Sequence, residues 1–429
     1  MGRRVNRSLR LASMRFVVRP GPPLQGTVRV SGAKNSVLKL LAATLLAEGE
    51  HVLRNVPAIA DVQTMCDLLA SMGVEIERRP HELVVRRPPD IVPEAPYELV
   101  ERMRASVVVL GPLLAATGRA RVPMPGGDDF GSRPVDDHLG GLTQLGAGFE
   151  LHHGVIDGRA DQLLGCRILL EVPSHTATDT LLMAAVRAKG VTIIENAARE
   201  PEVADLAAFL TRMGARIVGA GTSTIEIEGV DELSPVEHEV IPDRVEAATF
   251  LAAVGLAGGE IILEGARPDH MDMLMLKLGE MGVRTSPTGT GIWASAPGRM
   301  RSADVSTLPY PGIATDYKPL LVAMLSVADG VGIVTENLYG ANRFRYVNEL
   351  VRMGADVRIQ GHHAVIRGVE RLSGAPVRAS DLRAGAALVL AGMVAEGETV
   401  VSDASHVERG YDDLAAKLSA LGADIELVR

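Results

Sequence analysis

Apolar and polar positions along the chain fall into two recurring patterns. In the first, a helix-like apolar stretch runs into Leu or Met, then Gly, then a short alternating run. It occurs as LLASMGVEIE at Gly73, LTQLGAGFEL at Gly146, FLTRMGARIV at Gly214, KLGEMGVRTS at Gly282, ELVRMGADVR at Gly354 and KLSALGADIE at Gly422. In the second, an Ala/Leu-rich helix ends in Gly and leads into a strand, at Gly49, Gly118, Gly190, Gly259, Gly330 and Gly397. The two glycines of a unit lie 24, 28, 24, 23, 24 and 25 residues apart, and the first landmark repeats at intervals of 73, 68, 68, 72 and 68. Glycine after a helix fits a left-handed C-cap, and the alternation that follows fits a half-buried strand.

Six phased units predict a duplicated α/β architecture, each unit built as βαβαββ. A period near 70 residues is too long for a solenoid with one or two helices per turn. The stretches VLKLLAATLLA (37–47) and LRAGAALVLAGMVA (382–395) are apolar nearly all round, as befits helices enclosed by sheets rather than lying on a surface. Three units packed with such helices inward make one domain. Six units therefore predict two inside-out, barrel-like α/β domains with a cleft between them, a favoured place for a ligand site.

Composition narrows the function. The chain has 429 residues, 47% of them hydrophobic but only 3% aromatic, so the cores are aliphatic. A net charge of −9 argues against a general nucleic-acid binder. Two cysteines, Cys66 and Cys166, give neither a disulfide framework nor a metal set, and read as buried thiols. No HxH or HExxH pattern predicts a metal centre, no dinucleotide fingerprint follows a first strand, and no apolar run is long enough to span a bilayer. Residues 1–13 are basic without a signal-peptide core and read as a disordered extension of a cytoplasmic protein.

The candidate chemistry begins with residues 125–138, PGGDDFGSRPVDDH, which read as a mobile glycine-rich loop. Asp128 is a candidate proton donor beside Arg133, a candidate anion clamp; a solvated acidic turn is the plainer reading. Lys34 and Asn35 follow a short strand and precede an apolar helix, where helix amides favour an anion, though an ordinary exposed lysine gives the same pattern. Arg104 precedes an apolar run and is either an anion ligand or half of a structural ion pair with Glu101. Arg343, Arg383 and Arg409 sit near the expected starts of helices in the last units, and several arginines facing one cleft would suit a doubly anionic substrate. Asp316, just before an apolar helix, is either an N-cap or a general base. Asp381 reads as structural, placed to orient Arg383.

Nine blocks, in order, carry a resemblance: SGAKN (31–35), MRAS (103–106), PGG…G.RPVD (125–136), ENAAREPE (195–202), PDR.E (242–246), TD (315–316), NRF (342–344), DLRA (381–384) and ERGY (408–411). Together they resemble the enolpyruvyl transferases, specifically the UDP-N-acetylglucosamine 1-carboxyvinyltransferase family, over residues 14–429. The resemblance implies two domains of three repeats, one made of residues 14–33 and 242–429 and closed by the N-terminal strand. The other spans 34–241 and carries the mobile loop 123–135. It implies transfer of the enolpyruvyl group of phosphoenolpyruvate to the 3-hydroxyl of UDP-N-acetylglucosamine with release of phosphate. That reaction opens peptidoglycan precursor synthesis, and so serves cell shape and division, without a metal or organic cofactor. By position, Lys34, Asn35, Arg133 and Arg409 would hold phosphoenolpyruvate. Arg104, Arg133, Pro134, Val135, Asp136, Asp137, Val172, Pro173, Ser174, His175, Asp316 and Leu338 would line the nucleotide-sugar site. Asp316 would accept the hydroxyl proton, Asp128 would hold the general-acid position, and Asp381, Arg383 and Arg343 would support them.

The chain departs from the family pattern at three places. Asp128 stands where most members have the cysteine that fosfomycin alkylates, so insensitivity to fosfomycin is expected. PSHTAT (173–178) replaces the commoner SVGAT, and TENLYGANRF is one residue longer than usual, which loosens the placement of Leu338. Other acceptors, shikimate 3-phosphate or a free uridine nucleotide, are the competing enzymatic readings. A catalytically silent nucleotide-sugar sensor is the competing non-enzymatic one.

Overall fold

The computed structural model describes residues 14–126, 135–339 and 341–429, with the side chains of residues 341 and 342 left aside. The expected extension 1–13, and Asp128, Arg133 and Pro134 of the glycine-rich loop, lie outside the described residues.

All twelve landmark glycines have positive φ, from 70° at Gly118 to 117° at Gly49. Non-glycine residues pay a steric penalty there, so these glycines punctuate the chain wherever a helix turns into a strand. The pattern of a unit repeats six times. An inner helix leads to a strand, an outer helix and a hairpin, and the sheet is completed by a short strand parallel to the first. In the first unit, strand Gly49–Arg54 pairs antiparallel with Glu82–Arg87, which pairs with Glu75–Arg79, and Glu237–Glu239 adds in parallel on the far edge. Five units have four-stranded sheets of this order, and the sixth has three strands with a single parallel bridge, Glu94 to Arg121, in the place of the fourth.

The chain ends are exchanged between units. Arg15–Arg19 lies between Thr399–Ser402 and Asp424–Val428, antiparallel to both, with Phe16 opposite Val401 and Leu427. Leu24–Arg29 runs parallel to Gly259–Glu264. Both N-terminal strands thus belong to sheets of the C-terminal half.

Six inner helices form two cores. Lys34–Ala43, Leu110–Thr117 and His175–Ala185 contribute to one, which gathers buried residues from Ala33 to Val240. Arg244–Ala257, Lys318–Val327 and Leu382–Gly392 contribute to the other, which also takes in Phe16 to Val30 and continues to Ile425. Every residue of Leu382–Gly392 is buried, as the all-round apolar pattern requires. Observed helix ends fall short of the expected ones: the first inner helix stops at Ala43 and tightens into a 3-10 turn Thr44–Leu46. Cys66 is buried, but Cys166 is only partly so.

The chain passes between the cores twice, side by side. Ala33 donates its N–H to Ile241 O at 2.7 Å, and Asp243 donates to Ser31 O at 2.8 Å. The SGAKN glycine is essential to this crossing: a Cβ on Gly32 would sit 1.7 Å from the carbonyl oxygen of Asn55.

Candidate active site

Four of the six inner helices begin with a cation or an imidazole, Lys34, His175, Arg244 and Lys318, and a fifth, Leu382–Gly392, has Arg383 second. Their first-turn amides add positive potential, so the region where these ends meet favours anions. Lys34 is not the exposed lysine that its sequence setting allowed; it is 8% exposed. Its Nζ lies 2.8 Å from Oδ2 of Asp61, in the first turn of the outer helix Ala60–Ser71. From the other core, Arg409 closes on the same carboxylate, donating from Nε to Oδ1 at 2.9 Å and from Nη2 to Oδ2 at 3.3 Å. Burial pushes the Lys34 pKa down, Asp61 pulls it back up, and the charges of Arg409 and Arg383 push it down again. Arg409 is the C-cap residue of the short helix Ser405–Glu408, not near a helix start as expected.

Asp316 sits in a 3-10 turn, Thr315–Tyr317, capped by Ala314 without any side-chain bond, so it is not an N-cap. It faces arginines instead: Arg383 Nε donates to Oδ2 at 3.3 Å, and Arg343 Nη2 lies 3.7 Å from Oδ1. Burial opposes its charge, but Arg383 and Arg343, with Lys34 and Arg244 beyond them, hold the carboxyl at about 2. Asp381 is the N-cap of Leu382–Gly392, accepting from the N–H groups of Arg383 and Ala384 at 3.0 and 2.9 Å. It fixes the turn from which Arg383 reaches Asp316 and packs 5.2 Å from the ring centroid of Tyr411. Asn35 follows Lys34 in the first helical turn, and its carbonyl accepts from Lys39 at 2.5 Å.

A second region adjoins the first. Arg104 opens the 3-10 turn Arg104–Val109. Val135 is buried and precedes helix Asp136–Gln144, whose first turn carries Asp136 and Asp137. Burial raises the pKa of Asp137, helped by Glu171 and Asp136. His138, whose pKa burial lowers to about 3 with help from Arg104, lies between the hydroxyls of Thr180 and Thr176 at 3.0 and 3.1 Å. Val172 is 57% exposed, Pro173 follows it, and Ser174 caps helix His175–Ala185 by accepting from Ala177 N at 3.4 Å. Burial lowers the pKa of His175 to about 3, and its electrostatic neighbours Lys39, Glu202, Arg244 and Asp316 place it between the two regions. Leu338 is 37% exposed and donates its N–H to Glu336 Oε1 at 2.9 Å.

Five groups escaped sequence reasoning. Asp61 looks locally like any acid in a first helical turn. Glu336, fully buried, accepts from Thr307 and Thr315 hydroxyls at 2.8 and 2.7 Å and from two loop amides, and lies 2.8 Å from Lys318 Nζ, also fully buried. That pair ties the Asp316 turn to the Leu338 loop. Arg244, inside the PDR.E block, donates from Nε to Glu202 of the other core at 3.0 Å and from Nη1 to Tyr317 OH at 3.2 Å. Only the blocks containing Arg244 and Glu202 carried a signal. Among the described residues no cluster of His, Cys, Asp or Glu could hold a metal ion, and no helix is long and apolar enough to cross a membrane.

Residues 18–418 match the family model for EPSP synthase (3-phosphoshikimate 1-carboxyvinyltransferase). A UDP-N-acetylglucosamine 1-carboxyvinyltransferase of Myxococcus xanthus is 51% identical over 414 residues, covering 96% of this chain and 98% of the relative. UDP-N-acetylglucosamine 1-carboxyvinyltransferase 1 of Caldanaerobacter subterraneus is 49% identical over 411 residues, with 96% and 99% covered. Among solved structures, the enolpyruvyl transferase NikO from Streptomyces tendae superposes with a TM-score of 0.87 at 26% identity, covering 97% of this chain and all of that one. With two cores of repeated α/β units and these matches over nearly its whole length, the chain belongs to the enolpyruvyl transferase family, on the branch of the UDP-N-acetylglucosamine 1-carboxyvinyltransferases.

Proposed function

We propose that this protein transfers the enolpyruvyl group of phosphoenolpyruvate to the 3-hydroxyl of UDP-N-acetylglucosamine and releases phosphate, the opening step of peptidoglycan precursor synthesis in the cytoplasm. The observation that carries the reading is the convergence of Lys34 and Arg409 on one buried carboxylate beside Arg383, Arg343 and Asp316. Lys34, Asn35 and Arg409, with Arg133, take the phosphate and carboxylate of phosphoenolpyruvate. Arg104, residues 133–137, residues 172–175 and Leu338 line the nucleotide-sugar site. The two domains, 14–33 with 242–429 and 34–241, close around both substrates.

The reaction proceeds by addition and elimination. Asp128 gives a proton to C3 of the alkene, leaving an oxocarbenium-like C2 that the sugar oxygen attacks. The hydroxyl proton passes to Asp316, which is ionised at any working pH because its arginine neighbours hold it at about 2. The Asp128 carboxylate then takes a proton back from C3 as the C2–O bond to phosphate breaks, leaving the enolpyruvyl ether, and the proton held by Asp316 leaves with the released phosphate. Fixed cations offset the substrate charges throughout. Atoms and electrons balance without a redox partner or organic cofactor.

Phosphate release measured with UDP-N-acetylglucosamine, shikimate 3-phosphate and a free uridine nucleotide as separate acceptors tests the proposal. Turnover with the nucleotide sugar, and little with the others, is expected. Preference for either alternative acceptor overturns the assignment, and tight nucleotide-sugar binding without phosphate release would make the chain a sensor.

A further inference from the structure

One buried carboxylate holds two pieces of chain that serve the acceptor substrate. Glu336, just past strand Val331–Thr335, is fully buried, and five donors converge on it. Its Oε1 accepts from the Thr307 hydroxyl at 2.8 Å and from the N–H groups of Leu338 and Tyr339 at 2.9 and 3.2 Å. Its Oε2 accepts from the Thr315 hydroxyl at 2.7 Å and lies 2.8 Å from Lys318 Nζ. A carboxylate suits this setting, because it accepts at both oxygens and carries no hydrogen to clash with the donors. Burial opposes its charge, but Lys318, with Thr315 and Leu338, holds its pKa below the usual range.

The two oxygens face different parts of the site. Thr315 opens the 3-10 turn Thr315–Tyr317, so its bond to Oε2 fixes the residue next to Asp316. Lys318 also lies 4.0 Å from the ring centroid of Phe344, the neighbour of Arg343, and Arg343 reaches Asp316 at 3.7 Å. On the other side, Oε1 fixes a loop. Thr307 reinforces it, its hydroxyl accepting from Asn337 N and its carbonyl from Asn337 Nδ2, both at 3.0 Å. That loop carries Leu338, and Tyr339, whose ring centroid is 4.8 Å from the Arg343 guanidinium carbon. Neutralising Lys318 needs one carboxylate oxygen. The other is given to a loop that reaches solvent at Asn337 and Leu338, where water could satisfy the same amides. The arrangement therefore does more than neutralise a buried lysine.

We propose that Glu336 is a positioning residue for the acceptor, with two separable arms. Through Thr315 it aims Asp316 at the hydroxyl that gives up its proton. Through Thr307 and the loop amides it seats the Leu338 loop against the nucleotide sugar. The proposal rests on the reading of Asp316 and Leu338 as acceptor-site residues.

Two threonine variants of nearly unchanged shape separate the arms. Thr315→Val removes the bond on the Asp316 side and leaves the loop held. Thr307→Val removes the bond on the loop side and leaves Thr315 and Lys318 on Oε2. Single-turnover phosphate release at saturating substrates reads the chemistry, and titration calorimetry with UDP-N-acetylglucosamine reads acceptor affinity. Thr315→Val should slow the single turnover roughly ten- to a hundredfold, the effect of a misaimed group, with the acceptor Kd within about threefold. Thr307→Val should raise the acceptor Kd roughly tenfold, the worth of a hydrogen bond to a charged group, with the single-turnover rate within about threefold. Glu336→Asp keeps the charge opposite Lys318 but is one methylene too short to span both arms, so it should show both losses. Adding Thr315→Val to it should slow the single turnover little further, because both changes break one contact. If both threonine variants lose the same quantity in step with their melting temperatures, Glu336 is only an anchor of the fold and the proposal is overturned. It is also overturned if neither variant changes rate or affinity. Should a threonine variant not fold, Glu336→Asp decides, and a folded Glu336→Asp protein with wild-type rate and affinity overturns the proposal. If the wild-type protein releases phosphate only with another acceptor, the proposed function fails, while the same split read with that acceptor still decides the role of Glu336.

Discussion

Replacing Asp61 by Asn removes one charge and nearly no volume from the point where the two cores meet. The carboxylate lies 2.8 Å from Lys34 Nζ and accepts two bonds from Arg409, at 2.9 and 3.3 Å. Asp61 is 3% exposed and Lys34 8%, so solvent screening is weak. Unit charges about 4 Å apart at an effective dielectric constant near 20 attract by about 4 kcal/mol. Even a third of that, about 1.4 kcal/mol, corresponds to one unit of pKa. In the variant, burial, Arg409 and Arg383 all push the Lys34 pKa down, with no carboxylate to oppose them. The protonated fraction of Lys34 therefore falls at a lower pH. The expected result is a basic limb of kcat/KM for phosphoenolpyruvate displaced towards acid by at least about one pH unit. Asp61→Glu, which keeps the charge, should restore much of the wild-type limb. Phosphate release measured between pH 5.5 and 9.5, on protein whose melting curve shows it folded, provides the assay. A folded Asp61→Asn variant with the wild-type pH profile, chemistry being rate-limiting, would refute the reasoning.

Other perturbations separate the remaining contacts. Glu336→Gln leaves the fully buried Lys318 without its counter-charge and should cost about 3–5 kcal/mol in denaturant unfolding at pH 6. The loss should shrink at pH 9, because burial lowers the Lys318 pKa to about 8 even with Glu336 raising it, and a neutral amine needs no partner; a variant as stable as wild type at pH 6 contradicts this. Burial raises Asp179 from 3.8 to about 7, so the folded state holds a proton that the unfolded state has released, and stability falls as pH climbs towards 7. Asp179→Asn should therefore gain more in melting temperature at pH 8 than at pH 5, and an equal change at both would show that the group ionises normally. Asp128→Cys should confer time-dependent inactivation by fosfomycin, since a thiolate attacks the epoxide far better than a carboxylate; inactivation of the wild-type protein by fosfomycin would defeat the explanation.

The repeats were legible because their punctuation is chemical. Each helix-to-strand turn needs a left-handed residue, and Gly73, Gly146, Gly214, Gly282, Gly354 and Gly422 supply it at a regular spacing. The apolar runs beginning near residues 37 and 382 likewise announced helices buried on every side. No local pattern could say which sheet receives Arg15–Arg19, because its partners lie at Thr399–Ser402 and Asp424–Val428. The same distance in sequence hid much of the site. Arg409 and Asp61 are 348 positions apart, and nothing around Asp61 hints at a cation. Asp316 was open between a cap and a base because both begin with an acid before an apolar helix. The fold removes the cap, since Ala314 precedes the turn without a side-chain bond, and turns Asp316 to Arg383, 67 residues on. Lys318 and Glu336 look like surface charges in sequence and are fully buried in the fold, each made tolerable by the other.

The central claim is a bond made at one oxygen. The most direct test is to incubate the protein with phosphoenolpyruvate and UDP-N-acetylglucosamine, count the phosphate released, and identify the nucleotide product by mass and by long-range carbon–proton correlation. The account predicts one phosphate for each nucleotide sugar consumed, and a product whose enolpyruvyl carbon correlates with the proton on C3 of the glucosamine ring. Phosphate without a modified nucleotide sugar, or an enolpyruvyl group on any other oxygen, would contradict it.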